Sequence, residues 1–282
     1  MINYTICVAG DGWGALAVLK GIIGQFNKIE ILTNDKEVIE LSSNSIIINN
    51  LHDSSADLVI CSGYKSIIQK SELLQRKIIN IHPSLLPKYR GYHAVVWAIL
   101  NNESKIGITI HEINEYIDDG PIIKQFVFNN DFKSNSFEIM TYLLQQIENN
   151  ISSTVEKYLN NEIKTIQQNK EEATYVGKRN YEDCKIPFNK GFDYLANFFR
   201  AIVTPYPLPY IRFKMTKREY IVLKYKFHHS NVNTHIGRIL NIDNEGLWVK
   251  SRDGYLVIKQ LVDKEMNDIN IFTFKIGQQL EL

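Results

Sequence analysis

Short apolar runs alternate with helical and loop segments in the first half of the chain. Runs of strand length occupy residues 4–9, 28–33, 57–61 and 77–81. Strands that alternate with helices connect through right-handed crossovers, so they build a mostly parallel sheet with helices on both faces. We therefore predict an α/β domain of the Rossmann-like, doubly wound type. In such sheets, ligands bind at the carboxyl ends of the strands.

Two more strands and a long helix extend this domain. Apolar runs at 106–113 and 121–128 predict strands that the loop NEYIDDG connects. Asn135, followed three residues later by Glu138, has the spacing of a helix capping box. Apolar side chains at helical spacing predict the buried face of the helix: Phe137, Met140, Leu144, Ile147 and Ile151. We place the catalytic domain at residues 1–160.

The second half of the chain has a different pattern. Residues 161–189 are polar and irregular, which is typical of a connection between domains. A helical pattern covers 192–203, and after Ile211 short strand-like runs are separated by glycine turns. Such a series predicts a small antiparallel β-barrel, similar to an OB fold. We assign residues 190–282 to a small C-terminal domain of one helix and this barrel.

Composition narrows the class of protein. The 282 residues include 32 Lys plus Arg and 31 Asp plus Glu, so the formal net charge of +1 gives no general attraction to nucleic acid or to an anionic membrane. The cysteines Cys7, Cys61 and Cys184 lack the spacing of a disulfide framework or a zinc site. No apolar run reaches membrane length, and no targeting segment is evident. We expect a cytoplasmic protein without a metal, nucleic-acid or membrane partner.

The stretch CVAGDGWGALAVL raises the possibility of a dinucleotide site. Gly10, Gly12 and Ala15 have the G-x-G-x-x-A spacing, and Asp35 follows the second predicted strand. A turn of this kind leaves backbone N–H groups at a helix N-terminus, where an anion can bind. From these residues alone, a nicotinamide-dependent dehydrogenase is an alternative, which binding of NADH would reveal.

Two other stretches carry the most specific chemistry: NIHPSLLPKYRG at residues 80–91 and YIDDGPI at residues 116–122. Asn80 and His82 lie two apart at the end of a strand, so both side chains can point to one side. An amide, an imidazole and a carboxylate in one cleft can catalyse acyl transfer to an amine. The amide and a protonated imidazole stabilise the oxyanion, and the carboxylate orients the imidazole. A histidine at a strand end is otherwise an ordinary structural residue.

Together these stretches closely resemble the catalytic signature of the folate-dependent formyltransferases, which include methionyl-tRNA, glycinamide-ribonucleotide and nucleotide-sugar formyltransferases. The resemblance implies Asn80, His82 and Asp118 as catalytic residues. Asp118 is selected over Asp119 because the family's acid lies three residues before the proline. The resemblance also implies N10-formyltetrahydrofolate as the formyl donor, direct attack by the acceptor amine, and no requirement for NAD or a metal.

The resemblance extends to the binding sites. In the family, the pterin of the donor lies in a slot formed partly by the loop after the preceding strand, here CSGYKSIIQK. The implied donor-binding residues are Gly63, Tyr64, Ile68, Tyr116 and Ile117. Such loops also line clefts of other kinds, so this assignment depends on the resemblance to the family.

The second half of the chain bears on the acceptor. RNYEDCKIPFN and FRAIVTPYPLPY resemble the nucleotide-sugar amine formyltransferases, and the last fifty residues resemble a barrel that these enzymes share with methionyl-tRNA formyltransferases. The near-neutral charge and the short segment 32–60 favour a nucleotide-linked amino sugar over tRNA. We expect a dTDP-linked 3- or 4-amino-dideoxyhexose, used for surface polysaccharide such as O-antigen. The alternatives are tRNA, another small metabolite, or an inactive nucleotide-binding module.

The residues expected to contact this acceptor are Gly12, Trp13, Ser84, Lys88, Tyr89, Arg90, Arg179, Tyr206, Tyr210 and Phe213. Gly12 and Trp13 would meet phosphates or the sugar, Lys88 and Arg90 would bind phosphate or sugar oxygens, and the aromatic rings of the last three would stack on the base. Tyr210 and Phe213 can instead be part of the barrel core. Because the sugar enzymes of the family are often dimeric, the resemblance implies a homodimer.

Overall fold

Apolar runs of the first half form a seven-stranded sheet in the structure of the protein, a computed structural model that describes residues 2–42 and 45–282. The five parallel strands are β1 (Ile2–Ala9), β2 (Phe26–Leu32), β3 (Ile46–Ile47), β4 (Leu58–Cys61) and β5 (Lys77–His82). A two-residue strand, β6 (Arg90–Gly91), precedes the antiparallel strands β7 (Lys105–Glu112) and β8 (Ile122–Asn129). The order β3-β2-β1-β4-β5-β7-β8 confirms the predicted Rossmann-like fold.

Helices accompany this sheet. They are α1 (Gly12–Ile22), α2 (Lys36–Leu41), α3 (Lys70–Gln75), α4 (Ala94–Leu100) and α5 (Ser136–Leu159). The predicted buried face of α5 is partly wrong, because Phe137 is 45% exposed. The fully buried row consists of aliphatic side chains at i, i+4 spacing: Ile139, Leu143, Ile147, Ile151 and Val155. This row continues along the helix, whereas Phe137 lies on the exposed side of the first turn.

The second half forms a five-stranded antiparallel sheet after helix α6 (Phe192–Ala201). A short strand, β9 (Tyr175–Val176), pairs with β6 and precedes that helix. The five strands are β10 (Tyr210–Arg212), β11 (Glu219–His229), β12 (Ile239–Asp243), β13 (Gly246–Ser251) and β14 (Gly254–Val262), in the order β10-β11-β14-β13-β12. This agrees with the predicted antiparallel C-terminal sheet.

The end of the chain joins the two edges of the five-stranded sheet. The amide of Glu281 donates to the carbonyl of Arg212 in β10, and the amide of Leu280 donates to the carbonyl of Gly237 just before β12, both at 2.8 Å. The amide of Ile239 in β12 donates to the carbonyl of Gln278 at 3.0 Å. Backbone groups that an open sheet would leave unpaired at its edges are thus bonded within the chain.

The chain divides into two compact units. The first contains residues up to Ala98, Ser104–Asn130 and Glu138–Lys178, and the second contains Ile99–Glu103, Asp131–Phe137 and Arg179–Leu282. The boundary after Lys178 falls inside the segment 161–189 that the sequence suggests as a connection. Residues 161–178 therefore belong to the unit that contains the seven-stranded sheet. In the part of the chain that the structure describes, no helix is long and apolar enough to cross a membrane.

The turn between β1 and α1 depends on Gly10. This residue has a φ of +140°, and a Cβ placed on it would lie 1.9 Å from the backbone oxygen of Ser62, just after β4. Gly12 has a φ of +68°, but a Cβ there would have no atom within 4 Å. Gly10 therefore allows two neighbouring strand ends to approach closely, whereas Gly12 supplies only a left-handed conformation.

We predict that Gly10→Ala lowers the free energy of unfolding of the first unit by about 3 kcal/mol or more, because the added methyl group overlaps backbone atoms. Gly12→Ala is the matched control and should cost about 1 kcal/mol, the usual penalty for a left-handed alanine. Thermal and urea unfolding measure both losses. Equal losses in the two variants would contradict this steric explanation.

Candidate active site

Asn80, His82 and Asp118 meet at the carboxyl end of β5. The first two lie on β5 itself, and Asp118 lies in the loop between β7 and β8. Nδ2 of Asn80 donates to Oδ1 of Asp118 at 3.3 Å, and Nδ1 of His82 lies 3.5 Å from Oδ2 of Asp118. The backbone amide of Gly91 donates to the same Oδ2 at 2.9 Å. The structure thus brings together the three residues that the sequence singles out for catalysis.

His82 is held in one orientation. Its Nε2 lies 2.8 Å from the carbonyl oxygen of Tyr89, and because a carbonyl only accepts, Nε2 carries the proton of this hydrogen bond. Burial lowers the pKa of the imidazole below its usual value, although the neighbouring Asp118 carboxylate opposes that shift. The ring is therefore neutral near pH 7, with its Nδ1 lone pair beside Asp118.

Asp118 is ionised although it is mostly buried. Burial alone would raise the pKa of the carboxyl group, but a hydrogen bond with His111, the positive charge that His82 carries at low pH and the amide of Gly91 outweigh burial and lower the pKa to about 2. The residue also has a φ of +50°, a backbone conformation that residues other than glycine rarely adopt. The site therefore contains a fixed negative charge next to a neutral imidazole.

His111 is a buried member of the site that the sequence analysis missed. Its Nδ1 donates to the carbonyl of Glu112 at 2.8 Å, and its Nε2 lies 3.2 Å from Nδ2 of Asn80 and 3.6 Å from Oδ1 of Asp118. In the strand register, His111 lies directly opposite Asn80. The available signal was the pair Thr109 and His111, two polar residues at i, i+2 spacing that alternate with isoleucines within β7.

Arg90 lies inside the fold, and this corrects the expectation that it binds the acceptor. The residue is 2% exposed, and its Nη1 lies 2.7 Å from Oδ1 of Asp119. Nη1 also donates to the hydroxyl of Tyr175, and Nε and Nη2 donate to Oε1 of Gln168. A guanidinium with these partners is not positioned to bind a phosphate. The contact also separates the two neighbouring carboxylates, since Asp119 pairs with Arg90 while Asp118 faces the histidines.

Models of two protein domains match the chain. The model described as formyl transferase matches residues 31–155, and the model described as formyl transferase, C-terminal domain, matches residues 178–278. The chain belongs to the formyl transferase family. This confirms the resemblance drawn from NIHPSLLPKYRG and YIDDGPI, and membership supports formyl transfer as the class of reaction.

Individual relatives within the family differ in their acceptors. The methionyl-tRNA formyltransferase of Finegoldia magna is 27% identical over 261 residues, which cover 90% of this chain and 80% of that protein. A sugar 3N-formyl transferase, solved in the presence of dTDP and 5-N-formyl-THF, gives a TM-score of 0.68 at 24% identity over 94% of this chain and 100% of that one. The N-formyltransferase of Helicobacter canadensis, in complex with folinic acid and dTDP-3-aminofucose, gives a TM-score of 0.70 at 23% identity. The match covers 93% of this chain and 100% of that one. These structural matches show a shared fold.

In this formyl transferase, the loop from Ser84 to Tyr89 contacts His82 through a backbone group. Ser84 is buried and its hydroxyl donates to the carbonyl of Lys88 at 2.7 Å, which corrects the expectation that it contacts the acceptor. Tyr89 has a φ of +59°, and its carbonyl oxygen orients His82. The side chain of Lys88 is exposed, as a phosphate ligand requires.

The glycine turn also differs from expectation. The amide of Gly12 donates to Oδ2 of Asp35 at 2.8 Å, so a carboxylate of the protein occupies the position predicted for a phosphate. Asp35 also accepts from the amide of Glu37 and caps α2. Gly12 is therefore not available to bind phosphate through its amide. Trp13, which follows it, is 43% exposed and stays a predicted contact.

The predicted donor-binding residues fall into two groups. Tyr64 and Ile68 are half-buried and pack against an apolar cluster that includes Cys7 and Cys61. Tyr116 and Ile117, just before Asp118, are each 67% exposed. An exposed aromatic ring and an aliphatic side chain next to the reactive groups suit a flat pterin ring. Gly63 lets the loop after β4 approach Asp11 closely. A Cβ on Gly63 would lie 2.5 Å from the backbone oxygen of Asp11.

The other predicted acceptor residues lie in the second unit. Tyr210 and Phe213 are buried in its core, where Tyr210 stacks on Tyr181 and Phe213 on Phe274, so neither ring is exposed to stack on a base. Tyr206 is half-buried, and Arg179 donates to the carbonyl of Asp183. Among the described residues, no group of three or more His, Cys, Asp or Glu side chains is arranged to hold a metal.

We predict that His111→Leu raises the pKa of the Asp118 carboxyl from about 2 toward the ordinary value of about 3.9, since His111 provides the strongest of the contacts that lower it. Carboxyl ¹³C NMR, with the resonance assigned through Asp118→Asn, measures this pKa. Because the pKa of Asp118 is lower in the folded state, its ionised form stabilises the fold above pH 4. This stabilisation is lost as the pH falls toward 2. A pKa that is unchanged in His111→Leu would contradict the assigned cause.

Proposed function

We propose that the protein transfers a formyl group from N10-formyltetrahydrofolate to the amine of a nucleotide-linked amino sugar, with a dTDP-linked amino-dideoxyhexose as the first candidate. One observation carries the chemical part of this proposal. It is the convergence of Asn80, His82 and Asp118 at the end of β5, in a chain of the formyl transferase family.

Asn80 supplies the hydrogen-bond donor of the site. When bound, N10-formyltetrahydrofolate supplies an electrophilic formyl carbon, and negative charge develops on the attached oxygen when an amine attacks. Nδ2 of Asn80 lies 3.2 Å from His111 and 3.3 Å from Asp118, and both distances are long for hydrogen bonds. The amide can therefore turn one N–H group toward the developing oxyanion.

His82 and Asp118 supply the proton acceptor. Because the Nε2–H of His82 is bonded to the carbonyl of Tyr89, Nδ1 is the basic atom, and it can take a proton from the attacking amine. The adjacent Asp118 carboxylate then stabilises the imidazolium that forms. The imidazolium can return this proton to N10 of the folate as the bond between N10 and the formyl carbon breaks and tetrahydrofolate leaves. This assignment revises the role suggested by the sequence, because His82 begins as a neutral base instead of a protonated donor to the oxyanion.

Two observations support a nucleotide-linked sugar as the acceptor. The formal net charge of +1 does not supply the excess of Lys and Arg that a tRNA-binding surface needs. The two structures with dTDP or a dTDP-sugar share this fold over their entire length. We expect the exposed indole of Trp13 and the ammonium group of Lys88 to contact this acceptor. The curated methionyl-tRNA formyltransferase relative makes tRNA the second candidate.

A panel of acceptors tests the proposal. We expect release of tetrahydrofolate when the protein is incubated with N10-formyltetrahydrofolate and dTDP-linked 3- or 4-amino-dideoxyhexoses, and mass spectrometry should show one added formyl group on the sugar. Asn80→Ala serves as the control and should be about 10²-fold slower or more. Turnover of methionyl-tRNA but of none of the sugars would reject the sugar acceptor.

The pH dependence of activity tests the role of His82. We predict that kcat/KM falls on the acid side with an apparent pKa below the usual histidine value of about 6.5, because burial lowers the pKa of His82. Asp118 opposes that shift, so Asp118→Asn should move the acid limb to lower pH while it slows the plateau rate by about 10²-fold or more. An acid limb that moves to higher pH in Asp118→Asn would contradict the proposed pairing.

A further inference from the structure

Gln168 uses every hydrogen-bonding group of its side chain inside the first unit. The residue is 8% exposed. Its Nε2 donates to the backbone carbonyls of Asp118 at 2.8 Å and Gly120 at 2.7 Å. Its Oε1 accepts from Nε of Arg90 at 3.2 Å and from Nη2 at 2.7 Å. One amide, with two donors and two acceptor positions, thus links the loop of Asp118 to Arg90.

The loop that Gln168 contacts has a demanding conformation. Asp118 has a φ of +50°, which costs an L residue on the order of 1 kcal/mol. A Cβ on Gly120 would lie 1.8 Å from the carbonyl oxygen of Glu112, so the chain runs against β7 at that point. Asp119, between them, is bound by Arg90. The hydrogen bonds from Gln168 to the carbonyls of Asp118 and Gly120 therefore fix the direction of the Asp118 carboxylate.

The residues that follow Gln168 contact the other loop of the site. β9 pairs in parallel with β6, and the amide of Arg90 donates to the carbonyl of Thr174 at 2.8 Å. The amide of Tyr89 donates to Oγ1 of Thr174, also at 2.8 Å. Tyr89 orients His82 through its carbonyl, and Gly91 in β6 binds Asp118 through its amide. The segment 168–177, which we call the strap, therefore supports both His82 and Asp118.

We propose that the strap positions the catalytic pair, and that Gln168 is the positioning residue for the Asp118 carboxylate. This inference rests on the proposed formyl transfer. The strap lies in the segment that the sequence suggests as an interdomain connection, yet its side chains and amides bond to the reactive loops within one unit. A small displacement of a reacting group lowers the rate strongly even when binding is kept, so Gln168 acts on kcat more than on KM.

Gln168→Met removes both N–H donors and the Oε1 acceptor at nearly constant volume. We expect kcat to fall by about 10-fold to 10²-fold with little change in the KM of either substrate. Gln168→Glu keeps an acceptor for Arg90 but removes both donors to the loop, so its kcat should fall similarly. Wild-type kcat in Gln168→Glu would show that the carbonyl contacts are not needed, and would overturn the proposal.

Ser54→Ala is the matched control for loss of stability. Ser54 Oγ donates to Glu30 at 2.6 Å in a buried hydrogen bond just before β4, at the opposite end of the strands from the site. This variant should lose thermal stability while it keeps the kcat and pH profile of the wild type. A kcat in Gln168→Met no lower than that of Ser54→Ala would overturn the proposal.

A titration of His82 separates this inference from the proposed function. Asp118, His111 and Arg90 are the charged or titratable groups that act on His82, and of these three only Asp118 raises its pKa, as does the hydrogen bond to the carbonyl of Tyr89. If Gln168→Met displaces Asp118, then ¹⁵N NMR should show a lower pKa of His82 than in wild type, with no change in Ser54→Ala. This readout needs no turnover, so it holds if the wild type formylates none of the acceptors. An unchanged His82 titration would overturn the proposal.

Thr174→Val provides a second variant if Gln168→Met does not fold. Thr174 is exposed, and the substitution removes the Oγ1 acceptor of the Tyr89 amide while it keeps the shape of the side chain. We expect kcat to fall about threefold to tenfold, with an unchanged thermal unfolding midpoint. A wild-type kcat in this variant would reject a positioning role of the strap toward His82.

Discussion

The ionised carboxylate of Asp118 is the group around which the active site is organised. A buried negative charge is stable only when hydrogen-bond donors and opposite charges compensate for lost hydration. Asn80 and the amide of Gly91 donate to its two oxygens, and His111 and His82 lie beside them. These four groups come from three strands, since Asn80 and His82 lie on β5, Gly91 on β6 and His111 on β7. The charge therefore connects β5, β6 and β7 at this end of the sheet.

In the proposed mechanism, the protonation of His82 depends on two opposing effects. Burial lowers the pKa of His82 and keeps the ring neutral before an amine arrives, while Asp118 favours the charged ring once a proton has been taken up. The carbonyl of Tyr89 decides which ring nitrogen is basic. In the proposed mechanism, Tyr89 thus determines which ring nitrogen takes the proton, and Ser84 and the strap hold the loop that contains it.

The glycine turn shows how one local motif can serve different purposes. In a dinucleotide-binding protein, the amides at such a helix N-terminus bind phosphate. Here Asp35 accepts from Gly12, and Asp11 is bonded to Thr33 and Lys65. The protein's own carboxylates therefore occupy the environment that an external anion would need. Gly10 keeps its structural role, because β1 and β4 still have to approach each other at this end of the sheet.

The sequence by itself determined the sheet, the antiparallel second unit and the pairing of Asn80 with His82, since strand periodicity and i, i+2 spacing are local properties of the chain. The resemblance to the family, through the position of the proline, selected Asp118 over Asp119 as the expected acid. Only the tertiary structure decided that Arg90, Tyr210 and Phe213 are buried, that Asp35 occupies the glycine turn, and that His111 and Gln168 belong to the site. These facts depend on contacts between residues far apart in the chain, and burial and hydrogen-bond partners of that kind leave no periodic signal in the sequence.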